Sequence, residues 1–102
     1  MDDNQDHLNI LRSLDNEPKL SQRKLAKNLG FSLGKLNYCL KALKDKGLIK
    51  IQNFQKREKK IQYFQYIITP EGIAERTRLT INFMKRKMKE YDELRQELEK
   101  KD

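Results

Sequence analysis

The chain has 102 residues, 36% hydrophobic and 37% charged, with 23 Lys or Arg against 15 Asp or Glu and a formal net charge of +8. That length allows one small domain plus an appendage, and apolar runs no longer than stretches such as Tyr66-Ile67-Ile68 exclude a membrane span. Cys39 stands alone, which excludes a disulfide framework and a cysteine pair for a metal, and the acidic first residues do not read as a signal peptide, so a cytoplasmic protein is expected.

In chain order, Asp6 is a candidate cap for a first helix whose Leu8, Leu11 and Leu14 recur along one face. That helix is expected to end near Asp15-Asn16, with Pro18 closing the connection. Ser21 is the next N-cap candidate, and Leu20 and Leu25 are spaced for a hydrophobic staple. The short second helix should stop at Leu29-Gly30, where Gly supplies a left-handed residue. Ser32 then caps a third helix over 32–46, with Leu33, Leu36, Leu40 and Leu43 as its apolar stripe and Gly47 as its end. Two short helices around a Gly-containing turn make a helix-turn-helix.

Leu48-Ile49-Lys50-Ile51 and the run from Tyr63 to Ile68 alternate as strands, around a basic loop at Gln55-Lys56-Arg57-Glu58-Lys59-Lys60. Thr69 as N-cap and Pro70 at the first helical position start a last helix of about thirty residues, roughly 45 Å long. Its Ile81, Met84, Met88, Tyr91, Leu94 and Leu98 supply an apolar seam, interrupted by Arg95, that is too narrow to bury alone and suits a partner helix. Leu79 and Phe83 lie off that seam and could instead pack the helix onto its own domain. The expected fold is mainly α with a small antiparallel β wing: a winged helix-turn-helix over 6–69, followed by a long C-terminal helix over 70–102 for dimerisation.

The charge is unevenly placed. Residues 1–18 hold one base against five acids, residues 19–60 thirteen bases against two acids, and residues 61–102 nine bases against eight acids. A positive field confined to the middle segment points to a polyanion. On the third helix Leu36, Cys39, Leu40 and Leu43 must face inward, which leaves Lys35, Asn37, Tyr38, Lys41 and Lys44 to point elsewhere. Lys35 in the first turn opposes the helix dipole unless a phosphate lies beside it. Ser32 can donate to that phosphate, and Gly34 lets a ligand approach the backbone. Asn37 and Lys41 lie one turn apart, and these side chains suit adenine and guanine in a major groove. Lys56, Arg57, Lys59 and Lys60, in a wing over 53–62, suit phosphates or a minor groove.

The stretches Gly30-Phe31-Ser32-Leu33-Gly34-Lys35, Asn37-Tyr38-Cys39-Leu40-Lys41-Ala42-Leu43, Gly47-Leu48-Ile49 and Ile68-Thr69-Pro70-Glu71-Gly72-Ile73 resemble the MarR (multiple antibiotic resistance regulator) winged-helix superfamily. They are most similar to the short MarR-like regulators associated with exopolysaccharide biosynthesis clusters. The likeness covers roughly residues 8–98. It implies a cytoplasmic, dimeric, DNA-binding regulator with the helix from Ser32 to Lys46 in the major groove, acting on polysaccharide biosynthesis genes. Two departures limit the transfer: the wing offers Lys56-Arg57-Glu58-Lys59-Lys60 in place of the usual Asp-x-Arg, and the chain is shorter than most of the superfamily. Effector sensing is therefore not carried over, and no small-molecule effector is expected.

Other residues carry less. His7, the only histidine, is expected at the surface near a frayed terminus, with no second ligand or nucleophile nearby. Cys39 is expected to act as a small buried hydrophobe rather than a redox switch. Glu90, Asp92, Glu93, Glu97 and Glu99 read as a solvated helix face rather than a metal site. Tyr63, Phe64 and Tyr66 alternate on one strand, so part of this set must be core rather than a stacking platform for RNA bases. No catalytic set can be assembled, so neither an enzyme nor a cofactor is expected. The leading expectation is a homodimeric, sequence-specific binder of double-stranded DNA. Its rivals are an RNA or non-specific nucleic-acid binder and a winged helix used only to bind protein.

Overall fold

The computed structural model describes the backbone of residues 3–16, 21–56 and 61–100, and the side chains of 4–16, 21–51 and 66–100. Four helices and one hairpin follow in the order α1 (Asp3–Asn16), α2 (Gln22–Leu29), α3 (Leu33–Asp45), β1 (Ile49–Lys56), β2 (Ile61–Ile68) and α4 (Pro70–Glu99).

Local chemistry sets the helix ends. Ser21 and Ser32 have extended backbones, and their Oγ atoms accept from the Lys24 and Lys35 amides at 3.2 and 3.1 Å. Both helices of this pair finish in a Schellman motif. At the end of α2, Gly30 sits at φ 70° while its amide and that of Phe31 bond Lys27 O and Ala26 O. At the end of α3, Gly47 sits at φ 74°, and the Gly47 and Leu48 amides bond Lys44 O and Leu43 O.

The core forms where the three short helices meet the base of the hairpin. Leu8, Ile10, Leu11, Leu25, Leu36, Leu43 and Ile49 are essentially fully buried. Each contributes roughly 1.5–3 kcal/mol of apolar burial. Cys39 lies among them as expected, and Leu79 brings the first part of α4 into the same cluster, with Phe83 packed at its edge. Gln22 donates to the Tyr66 hydroxyl and so ties α2 to β2.

The junction before α4 is built from Thr69. Its amide donates to Leu48 O at 3.0 Å, its hydroxyl donates to Gly47 O at 2.7 Å, and the same oxygen accepts from the Gly72 amide at 3.0 Å. A Cβ at Gly72 would stand 2.0 Å from Leu48 O and 2.7 Å from a methyl of Ile68. Only glycine lets α4 pass this close to the turn after α3. The helix that leaves the domain is thus bolted to the end of the helix that points outward.

Four expectations need correction. Asp6 does not cap α1, because the helix already begins at Asp3; the carboxylate instead meets Lys35 at 3.4 Å. That earlier start also carries His7 inside the helix, one turn before Leu11, so it is buried at 6% exposure rather than lying on the surface. Leu33 is 44% exposed, because the first residue of α3 projects beyond the edge of the core. The hairpin is longer than the alternating runs indicated: its antiparallel ladder extends from Ile49↔Ile68 to Lys56↔Ile61, through Phe54↔Tyr63. Leu20 and Pro18 lie outside the described residues.

Candidate nucleic-acid interface

With Leu36, Cys39, Leu40 and Leu43 buried, the 3.6-residue period turns Gly34, Asn37, Tyr38, Lys41 and Lys44 to the opposite side of α3. All five are exposed, Tyr38 to 70%. Asn37 and Lys41 share one edge of this face with Lys44. Gly34 stands one turn before Tyr38. A Cβ at Gly34 would meet no heavy atom of the described residues within 4 Å, so no contact among them requires glycine there. The Ser32 hydroxyl accepts from the Lys35 amide and keeps its proton for an outside acceptor.

Lys35 is placed differently from its neighbours. Its ammonium lies 3.4 Å from Asp6 and 4.2 Å from the centre of the Phe31 ring. The side chain therefore fastens the start of α3 to α1. It flanks the outward face without projecting from it.

The second helix of a tight Gly-containing pair carries this face, and a two-stranded antiparallel hairpin follows it directly. The fold is a winged helix-turn-helix. Residues 4–50 match the family described as winged helix-turn-helix DNA-binding. A comparison with curated protein sequences finds no match. Among solved structures, the PcaV transcriptional regulator from Streptomyces coelicolor, in complex with its natural ligand, is similar with a TM-score of 0.64 at 17% identity, over 91% of this chain and 72% of that one. The S. aureus MepR–DNA complex gives a TM-score of 0.63 at 19% identity, over 93% of this chain and 73% of that one. Lactococcus lactis ZitR, a zinc-responsive MarR family member, gives 0.62 at 22% identity, over 86% of this chain and 58% of that one. At these identities the likeness establishes the shared fold, which is one used by transcription regulators.

Gly34, Asn37, Tyr38, Lys41 and Lys44 thus share the outward side of α3, and Ser32 is exposed at its start. The backbone of Lys56 ends β1, while its side chain and all of Arg57, Lys59 and Lys60 lie outside the described residues. A basic strip on α2 was not picked out from sequence. Arg23, Lys24 and Lys27 are all exposed, because Leu25 and Ala26 hold the other side of that helix in the core. Three bases among eight residues were the available signal. In a helix-turn-helix the first helix crosses the nucleic-acid backbone, where such cations can meet phosphates.

On α4, Ile81, Met84, Met88, Tyr91, Leu94 and Leu98 are between 47% and 71% exposed. Six large apolar side chains therefore project from one helix with no cover among the described residues. Among the described residues no group of three or more His, Cys, Asp or Glu could hold a metal ion, and no helix is long and apolar enough to cross a membrane.

Proposed function

We propose that the chain is a MarR-type transcriptional regulator that binds double-stranded DNA sequence-specifically as a homodimer in the cytoplasm. The observation that carries the proposal is the outward face of α3: an open glycine, an amide, a phenol and two ammonium groups on the second helix of a helix-turn-helix. In this reading the unit over 6–69 binds DNA and the helix over 70–102 joins two copies. Asn37 and Lys41 read base edges in the major groove, since a rigid helix holds the geometry that bidentate contacts need. Gly34 lets the backbone close on the duplex. Tyr38 and Lys44 flank that contact.

Ser32 and the free amides at the start of α3 take a phosphate, with Lys35 shared between that phosphate and Asp6. Arg23, Lys24 and Lys27 on α2 and Lys56, Arg57, Lys59 and Lys60 on the wing hold the DNA backbone or a minor groove. The seam of Ile81, Met84, Met88, Tyr91, Leu94 and Leu98 supports the dimer. MepR, a structural neighbour solved with DNA, supports the same mode of use for this fold. The sequence resemblance to exopolysaccharide-associated regulators supplies the target class, genes of polysaccharide biosynthesis.

A direct competition tests the proposal. Labelled duplex DNA of the host's regulatory regions is bound at several salt concentrations, then challenged with unlabelled duplex or single-stranded RNA. Duplex should displace the probe and RNA should not. Preferential displacement by RNA would replace the reading with an RNA binder, and binding to neither would leave a protein-interaction module.

A further inference from the structure

Charge is sorted along α4 as sharply as along the whole chain. Residues 76–89 carry six bases (Arg76, Arg78, Lys85, Arg86, Lys87 and Lys89) and no acid. Residues 90–99 carry five acids (Glu90, Asp92, Glu93, Glu97 and Glu99) and one base, Arg95. The helix runs unbroken from Pro70 to Glu99, and every residue from Met84 to Glu99 is exposed. The apolar seam passes straight through both charge blocks. It is interrupted once, where Arg95 occupies the position between Tyr91 and Leu98.

We infer that a second copy of this chain docks along α4 antiparallel, with Ile81 opposite Leu98, Met84 opposite Arg95 and Met88 opposite Tyr91, each layer occurring twice about a two-fold axis. This rests on the proposal that α4 carries the dimer, and adds its direction and register. Antiparallel pairing lays the block from Lys85 to Lys89 against the partner's block from Glu90 to Leu94, so four cations face three carboxylates on either side of the axis. Lys85 then flanks the central layer opposite Asp92. A parallel pair in register would instead set each basic block beside its own copy and place two Arg95 guanidinium groups face to face in the seam. Helices in such pairs lie 8–10 Å apart, about one Debye length at physiological salt, so the block charges still act on each other but in a salt-sensitive way.

The seam is interrupted in both arrangements, but only the antiparallel one gives Arg95 an apolar neighbour, Met84, along which its stem can lie while the head reaches water. Antiparallel pairing also keeps the domains apart. The partner's Leu98 arrives opposite Ile81, which is exposed beside Leu79 and Phe83, the last contacts of α4 with its own domain.

Cysteine cross-linking of the full chain tests this. The variants are Ile81→Cys, Leu98→Cys and the double variant. Seventeen residues of helix separate the two positions, roughly 25 Å, so a disulfide between them must join two chains. Under mild oxidation the double variant should form covalent dimers whose digests contain an 81–98 disulfide peptide, at least tenfold more than either single variant. The wild type, with Cys39 buried, should form none.

Sedimentation is run on every variant before oxidation. Strong cross-linking of the single variants would mean parallel helices and overturn the direction while keeping the dimer. A dimer that gives no cross-link in any variant would overturn the register and the seam together. A monomer throughout would overturn dimerisation itself.

Discussion

Replacing Gly34 by Ala should make the protein more stable and a poorer DNA binder. Glycine inside a helix costs about 0.5–1 kcal/mol relative to alanine, because its unfolded backbone has more freedom to lose. At Gly34 no contact among the described residues offsets that cost, since an added methyl would meet none of their heavy atoms within 4 Å. The residue lies in the first turn of α3 with ordinary helical geometry, so alanine fits without strain. A gain of about 0.5–1 kcal/mol corresponds to a rise of roughly 2–8 °C in Tm for a domain of this size.

On the proposed DNA surface the same methyl points at the duplex and holds α3 off it. Losing one good base contact costs roughly 1–3 kcal/mol, or about five- to 150-fold in Kd. Thermal unfolding by circular dichroism at fixed protein concentration gives the first number, and fluorescence anisotropy on an operator duplex gives the second. A stabilised variant with unchanged affinity would show that the start of α3 does not approach DNA closely. A destabilised variant would refute the account of why glycine stands there.

Gly72→Ala should act in the opposite sense, costing about 3 kcal/mol or more by urea denaturation, because its methyl would drive against the Leu48 carbonyl; a loss under about 0.5 kcal/mol would contradict the tight junction. Truncation after Phe83 keeps Leu79 and Phe83 on the core but removes most of the exposed seam, so the shortened chain should remain folded and sediment as a monomer. A truncated chain that is still dimeric would move the interface to another surface.

Much of the domain was legible because its signals are local. Ser21, Ser32 and Thr69 each announce a helix start by chemistry that needs only the next three residues, and Gly30 and Gly47 mark the ends by backbone freedom. The inward set Leu36, Cys39, Leu40 and Leu43 follows from period alone, and that set fixes which side chains of α3 face out. His7 was misread because Asp2, Asp3, Asn4 and Asp6 are all cap-type residues, so the local signal offers several starts for α1 and does not select the earliest. Once the helix begins at Asp3, His7 falls on the stripe of Leu11 and Leu14 and is buried with them.

Lys35 shows the other limit. Its place on the helix was clear, but its ion pair with Asp6 joins residues 29 positions apart and exists only once α1 and α3 have packed. The α2 strip of Arg23, Lys24 and Lys27 was visible as composition. Which side of that short helix faces out depended on Leu25 and Ala26 reaching a core built from other segments.

If α3 reads bases while α2 and the wing hold the DNA backbone, Asn37 and Lys24 must answer differently in one titration. Asn37→Ala and Lys24→Ala are measured against the wild type on a specific operator and on random duplex, each at several salt concentrations. Lys24→Ala should weaken binding to both DNAs and lower the slope of log affinity against log salt by about 0.9, the loss of one phosphate contact. Asn37→Ala should cost roughly 1–3 kcal/mol on the operator, much less on random DNA, and leave the slope unchanged because no charge is removed. If Asn37→Ala weakened both DNAs equally, α3 would not be the element that reads sequence.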